Sequence, residues 1–169
     1  MNQSKVNIRP VEAAEHQDIL VLWEDSVRAS HDFITEADID EYRLRISSSL
    51  PNLAVFCIEA EGVIQGFIAL SDHKIQLLFV HPRAFRKGFG KRLIAFGIEK
   101  HKAWLVDVNA QNQNALSFYL SLGFKVYHKF ANDGAGKPYP VWSLRLNRMY
   151  RNKQQWREFR KKLSTFFKS

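Results

Sequence analysis

The sequence contains little cysteine and no long hydrophobic run. Its 169 residues include a single cysteine, Cys57, which excludes an internal disulfide and favours a small buried side chain. No cluster of His, Cys and Asp has the spacing of metal ligands, so no catalytic metal is expected. The sequence also lacks an uninterrupted run of about 18 apolar residues, and its first residues lack the apolar core of a signal peptide. We therefore expect a soluble, cytoplasmic protein.

Acidic side chains are scarce at the end of the chain. Lys and Arg total 25 against 17 Asp and Glu, giving a net charge of +8. Residues 145–169 carry nine basic residues and one acidic residue, Glu158, so this segment holds the whole excess and residues 1–144 are neutral. The net charge therefore does not by itself identify a nucleic-acid-binding protein.

Residues 148–169 have apolar residues at helical spacing with basic residues between them, which predicts an amphipathic helix. The apolar stripe consists of Met149, Trp156, Phe159, Leu163 and Phe166. Such a helix can pack on the domain or on a second subunit of a homodimer, bind RNA or another polyanion, or lie on a membrane surface. We favour packing over nucleic acid or membrane contact, and divide the chain into a domain over 1–147 and this helix.

Hydrophobic periodicity predicts alternating strands and helices over the first 147 residues. The predicted strands are 6–9, 53–60, 63–70, 75–80, 104–108, 124–130 and about 139–146, and the predicted helices are 13–29, 36–48, 91–102 and 112–122. Thr35 is expected to cap the second helix, and Gly123 to be the C-cap of the last. A strand meander followed by a strand-helix-strand crossover predicts an α/β fold: a mixed, mainly antiparallel central sheet of six to seven strands flanked by helices.

A short basic loop with two glycines follows the third strand of the meander. Gly88 and Gly90 open the next helix, and glycines at a helix N-terminus let backbone N–H groups approach a phosphate. Arg86, Lys87, Lys91 and Arg92 add positive charge. A lone Gly-x-Gly is more often a flexible turn, and this loop lacks both the Gly-Lys-Ser/Thr ending of a Walker loop and the third glycine of the dinucleotide motif.

Residues 106–124 contain a strand followed by Asn-x-x-Ala, Phe-Tyr and Gly-Phe. With the basic loop at the expected distance before it, this pattern resembles the GNAT superfamily of N-acetyltransferases, and in particular its small stand-alone bacterial members. The resemblance is strong from about residue 75 to 126. One departure is Phe85, which stands where the family usually begins its loop with Gln or Arg. The resemblance implies acetyl-CoA as the acetyl donor and an amine as the acceptor.

The resemblance also assigns residues to acetyl-CoA. Backbone groups of Leu78, Phe79 and Val80 would hold the acetyl and pantetheine portions. Backbone amides of the basic loop would bind the pyrophosphate; these belong to Arg86, Lys87, Gly88, Phe89, Gly90 and Lys91. Asn112 would contact the pantetheine arm, and the phenol of Tyr119 would face the thioester sulfur.

Amide formation from a thioester needs a neutral amine and a proton for the leaving thiolate. A phenol, with a pKa of about 10, can protonate the thiolate, which makes Tyr119 the candidate acid. Two candidate bases are Asp107, which alternates with two valines on a predicted strand, and His73, which precedes the third meander strand. His31 is a third candidate. The acceptor pocket is expected to use His31, Asp32, Phe33 and Tyr139.

The competing hypothesis is a non-catalytic member of the fold that binds a ligand or a polyanion such as RNA through its basic tail. Joint retention of Gly88, Gly90, Asn112 and Tyr119 favours the enzyme. We expect an N-acetyltransferase that moves the acetyl group from acetyl-CoA to a primary amine by direct attack in a ternary complex. The identity of that amine stays open.

Overall fold

The computed structural model describes residues 6–147 together with Glu158 and Lys161. Its strands are β1 (Val6–Pro10), β2 (Ala54–Ala60), β3 (Val63–Ser71), β4 (Lys74–Val80), β5 (Leu105–Asn109), β6 (Phe124–Phe130) and β7 (Val141–Leu146). Its α-helices are α1 (His16–Ser30), α2 (Glu36–Ser49), α3 (Phe89–His101) and α4 (Gln113–Ser121). The chain divides into two compact units between residues 103 and 104. Of the expected C-terminal helix over 148–169, all residues except Glu158 and Lys161 lie outside the described part of the chain.

The first unit contains four antiparallel strands in the order β1-β2-β3-β4. Residues 66–70 of β3 are all buried, which is the pattern of a strand covered on both faces. Cys57, Phe67 and Ala69 pack with the core of α1 and α2. Ile68, between Phe67 and Ala69, lies against Gly97 of α3. Alternate side chains of β3 therefore pack on the helices of opposite faces of the sheet. Cys57 is fully buried, as expected.

The second unit contains three antiparallel strands in the order β5-β7-β6, and helix α4 contacts β5 and β6. Its core is formed by Leu116, Tyr119, Phe124, Leu144 and Leu146. With these three strands the described chain has seven, and the expected fold class is confirmed. No helix of the described residues combines the length and the apolar character that crossing a membrane requires.

Most predicted boundaries differ from the structure by one to three residues, for local reasons. The Thr35 side chain accepts a hydrogen bond from the Asp38 backbone N–H at 3.2 Å and caps α2, as expected. The prediction that Gly123 is the C-cap of α4 is wrong: Leu122 holds that position, and Gly123 follows it with φ +84°. The last strand begins at Val141 rather than near Tyr139, which belongs to the preceding loop.

Candidate active site

Residues 85–91 form a turn that leads into the N-terminus of α3, and in it the Lys87 N–H donates to the Ala84 carbonyl at 3.4 Å. Arg86 has φ +62° and Gly88 has φ +83°, whereas Lys87 between them has a negative φ. Residues with φ of alternating sign turn successive N–H groups to one side, an arrangement that binds anions. The helical ladder starts where the Arg92 N–H donates to the Gly88 carbonyl at 3.2 Å, so the N–H groups of Phe89 and Gly90 precede it. We call residues 85–91 the phosphate loop.

The electrostatics of the phosphate loop favour an anion. The side chains of Arg86 and Lys87 are exposed, and Lys91 is half-buried, where burial lowers its pKa. The positive end of the α3 dipole lies at the same place. Arg86 holds a left-handed conformation that is uncommon for a non-glycine residue, and such conformations concentrate at functional sites. Phe85 is 40% exposed, so its ring does not fill the loop.

Strand β4 leads into the phosphate loop and is held tightly against β3. Val80 pairs with Gly66 and Phe79 with Phe67. The close approach requires glycine, because a Cβ at position 66 would lie 2.8 Å from the Phe79 carbonyl oxygen. The Phe79 ring stacks on Phe67 and meets the edge of Trp23, at centroid distances of 5.9 and 6.4 Å. The segment expected to hold pantetheine is therefore a packed strand.

Asn112 is the N-cap of α4 in the second unit. Its side-chain oxygen accepts a hydrogen bond from the Ala115 backbone N–H at 3.0 Å. The Asn-x-x-Ala spacing thus matches the distance from an N-cap to the third helical residue. Part of this motif's function is to start the helix that carries Tyr119.

Tyr119 lies on the inner face of α4 and is 5% exposed. Its ring meets Phe124 of β6 edge-on, at a centroid distance of 5.5 Å. Burial raises the pKa of Tyr119 well above its ordinary value, because the charged phenolate is poorly solvated there. The phenol therefore keeps its proton at neutral pH, which is the state that a general acid needs.

Asp107 lies at the centre of β5, on the face opposite to the buried Val106 and Val108. This placement confirms the alternation expected from the sequence. One oxygen of its carboxylate, Oδ1, accepts a hydrogen bond from the Ser143 hydroxyl of β7 at 2.6 Å. Sequence reasoning missed Ser143, because a serine in an apolar strand says nothing about which residue lies opposite it.

His73 lies in the tight turn between β3 and β4, at the other end of β4 from the phosphate loop. Asp72 and His73 both have positive φ, as a two-residue hairpin turn requires. The seven residues of β4 separate this turn from the loop by roughly 20 Å. His73 instead lines a shallow cavity with Leu70 and His101.

The loop between α1 and α2 carries three residues expected in the acceptor pocket. His31 is the C-cap of α1; its Nδ1 lies 2.8 Å from the Ser30 hydroxyl oxygen, and its ring lies 5.3 Å from that of Phe33. Burial lowers the pKa of His31, so its imidazole is neutral at pH 7. Asp32 between them is exposed. The fourth residue, Tyr139, is buried in the second unit, in the loop before β7.

No group of three or more His, Cys, Asp or Glu residues within the described part of the chain is placed to hold a metal ion. The model of the GNAT acetyltransferase domain matches residues 51–126. Over 140 residues the chain is 31% identical to the peptidyl-lysine N-acetyltransferase YjaB of Salmonella typhimurium, covering 82% of this chain and 97% of that protein. The chain belongs to the GNAT acetyltransferase family.

Solved structures agree with this membership. The solution structure of apo-form YjaB from Escherichia coli matches this GNAT chain with a TM-score of 0.78 and 30% identity, covering 85% of this chain and 98% of that one. The PaiA N-acetyltransferase of Thermoplasma acidophilum, solved in complex with coenzyme A, has the same fold, with a TM-score of 0.63, 20% identity and coverage of 82% and 98%. The GNAT chain is an acetyl-CoA-dependent N-acetyltransferase of the small stand-alone type.

Proposed function

We propose that this GNAT acetyltransferase moves the acetyl group of acetyl-CoA to the ε-amino group of lysine residues in polypeptides. The acceptor is proposed because YjaB, named for peptidyl-lysine acetylation, aligns with this chain along 97% of its length. A cytoplasmic location is part of the same proposal. Attack occurs directly, with both substrates bound together, and no acetyl group is attached to the protein.

The backbone of the phosphate loop is proposed to hold the pyrophosphate of acetyl-CoA. The alternating φ at Arg86, Lys87 and Gly88 is the observation that carries this assignment. Main-chain N–H groups supply the hydrogen bonds, so the departure at Phe85 does not remove them. The β4 backbone at Leu78 to Val80 is proposed to hold the pantetheine arm, with Asn112 as a further contact.

Tyr119 is proposed as the general acid. Its burial keeps the phenol protonated, so that it can donate a hydrogen bond, and then its proton, to a departing thiolate held within reach. Loss of the proton leaves a phenolate in an apolar site, so Tyr119 takes a proton back before the next turnover.

Asp107 is proposed as the general base. Its carboxylate is exposed, as a group that meets a substrate amine must be. A carboxylate is too weak a base to deprotonate a lysine ammonium in water, since the two pKa values differ by about 6. We therefore assign it to the proton that the nitrogen sheds once the nitrogen-carbon bond has begun to form.

The loop at residues 31–33 is proposed to receive the acceptor lysine. The exposed Asp32 carboxylate attracts a lysine ammonium, whereas the neutral His31 does not repel it. The paired rings of His31 and Phe33 offer an apolar surface to the four-carbon lysine stem.

The test is a kinetic assay with acetyl-CoA and a lysine-containing peptide, with release of the CoA thiol and peptide mass both recorded. We expect acetylation at the lysine ε-amino group and intersecting double-reciprocal plots. The same peptide with arginine in place of lysine is the matched control. Acetylation of small amines but not of the peptide would contradict the acceptor, and parallel plots would contradict direct attack.

A further inference from the structure

We infer that Ser143 is a positioning residue for acetyl transfer: its hydroxyl holds Oδ1 of Asp107 so that Oδ2 faces the reacting amine. The inference rests on the proposed role of Asp107 as the base. The two side chains are joined by a hydrogen bond of 2.6 Å. That length is typical of a hydroxyl donating to a charged carboxylate.

The strand register dictates this contact. Asp107 of β5 and Ser143 of β7 are direct partners in the antiparallel ladder, so their side chains leave the same face of the sheet. Ser143 is 4% exposed, whereas Asp107 is exposed. The buried Ser143 hydroxyl therefore donates to one carboxylate oxygen of the exposed Asp107. A buried donor of this kind can fix the orientation of a carboxylate that acts on a substrate.

Lys125 and His128 of β6 and Arg145 of β7 lie on the same face of this unit, and Lys125 pairs with Arg145 in register. His128 of β6 pairs with Ser143 in register, on the side away from β5. Arg145 lies two residues along β7 from Ser143, with its guanidinium 5.4 Å from the centre of the Tyr127 ring. The residues flanking Asp107 on this face of β5, Leu105 and Asn109, carry no charge. The Ser143 hydroxyl is thus a neutral donor between the carboxylate and a histidine.

The hydrogen bond acts at one step of the reaction. The lysine ammonium first loses one proton to solvent. The neutral nitrogen then forms a bond to the acetyl carbon, and the carbon-sulfur bond breaks. The nitrogen's proton passes to Oδ2 of Asp107, directly or through one water, while the Tyr119 proton passes to the sulfur. The products are N-acetyl-lysine and the CoA thiol, and solvent returns the two residues to their starting states.

Removing the hydroxyl has one expected consequence for the reaction. The carboxylate loses its fixed orientation, so Oδ2 is less often placed to accept the proton of the reacting nitrogen. In Ser143→Ala we expect kcat to fall about 10-fold. The KM for acetyl-CoA should stay unchanged.

The experiment compares four variants in the peptide assay. Ser143→Thr keeps the hydroxyl and should restore kcat. Ser121→Ala is the matched control, because it removes a serine hydroxyl that donates to the Phe118 carbonyl on the surface of α4. Asp107→Asn tests the base itself. If Ser143→Ala does not fold, Ser143→Cys, with a weak S–H donor, takes its place.

The outcomes separate this inference from the proposed function. Wild-type kcat in Ser143→Ala, with Asp107→Asn inactive, would overturn the role of Ser143 alone. Full activity in Asp107→Asn would overturn the base and this inference together. If the peptide is not acetylated but another amine is, the acceptor proposal fails, and the Ser143 variants are measured with that amine.

Discussion

Replacing Gly88 by alanine tests whether the phosphate loop binds acetyl-CoA through its backbone. Gly88 has φ +83°, and a Cβ added there would meet no atom within 4 Å. Gly62, in the turn between β2 and β3, offers a matched control, because it has φ +77° and equally open space. The two substitutions therefore impose the same kind of backbone strain, and only one lies in the loop.

The magnitude follows from the backbone conformation. An alanine in the left-handed region costs about 1–2 kcal/mol, so both variants should lose about that much stability. The loop around Gly88 can relieve this strain by rotating its N–H groups away from the anion. A hydrogen bond to a charged group is worth about 1.5–3 kcal/mol, so losing one should weaken CoA binding by about 10- to 100-fold.

Two measurements check this reasoning. Calorimetry gives the Kd for CoA, and denaturant unfolding gives the stability of each variant. We expect Gly88→Ala to bind CoA weakly but to use acetyl-pantetheine, which lacks the pyrophosphate, as the wild type does. Gly62→Ala should lose stability without losing CoA affinity. The reasoning is refuted if Gly88→Ala binds CoA like the wild type, or if Gly62→Ala weakens binding equally.

Three further predictions concern buried and paired groups. Tyr119→Phe should lower kcat at least about 100-fold with little change in the KM for acetyl-CoA, measured by thiol release. Because burial raises the pKa of Tyr119, wild-type unfolding free energy should fall as pH rises above about 10, and Tyr119→Phe should lack this loss. Hydrogen bonds from Arg9 and, to a smaller extent, from the Glu12 backbone N–H lower the pKa of Glu15 to about 2, so their stabilisation is present above about pH 4.3 and lost as pH falls toward 2; Arg9→Ala should lose the larger part of this dependence. Gly66→Ala should destabilise the first unit by about 1–3 kcal/mol in urea unfolding, because the new Cβ meets the Phe79 carbonyl.

Each of these predictions has a result that contradicts it. Unchanged kcat in Tyr119→Phe would show that the phenol is not the general acid. If the wild type and Tyr119→Phe lost the same stability at alkaline pH, burial of the phenol would not be the cause of that loss. If Arg9→Ala loses as much stability as the wild type when the pH falls toward 2, the loss comes from carboxylates other than Glu15. Wild-type stability in Gly66→Ala would mean that β3 and β4 separate without cost.

Local patterns in the sequence predicted the strands and helices well, because the spacing of apolar residues reflects which face of a single strand or helix is buried. The exposed Asp107 between two buried valines follows from strand periodicity alone. Thr35 was recognised as a cap because capping needs only a side chain and a backbone N–H three residues apart. Asn112 satisfies the same rule before α4, so one residue carries both the capping signal and the family motif.

Partners across strands were not predictable, because they depend on register. Asp107 and Ser143 are 36 residues apart in the chain, and a shift of one position in β7 would turn Ser143 to the other face. The raised pKa of Tyr119 is similarly a property of its surroundings, since its cause is burial against other elements. Neither interaction leaves a mark in the local sequence.

Composition and periodicity are local properties, so they were enough to predict the order of strands and helices and to place the excess positive charge in residues 145–169. The family followed from the resemblance of the motifs between residues 75 and 126. The tertiary structure decided which phosphate-loop residues take left-handed conformations, and it placed His73 at the far end of β4. It also joined Ser143 to Asp107. These features depend on strand register and on the conformation of turns. Both are set by contacts between residues that are far apart in the sequence.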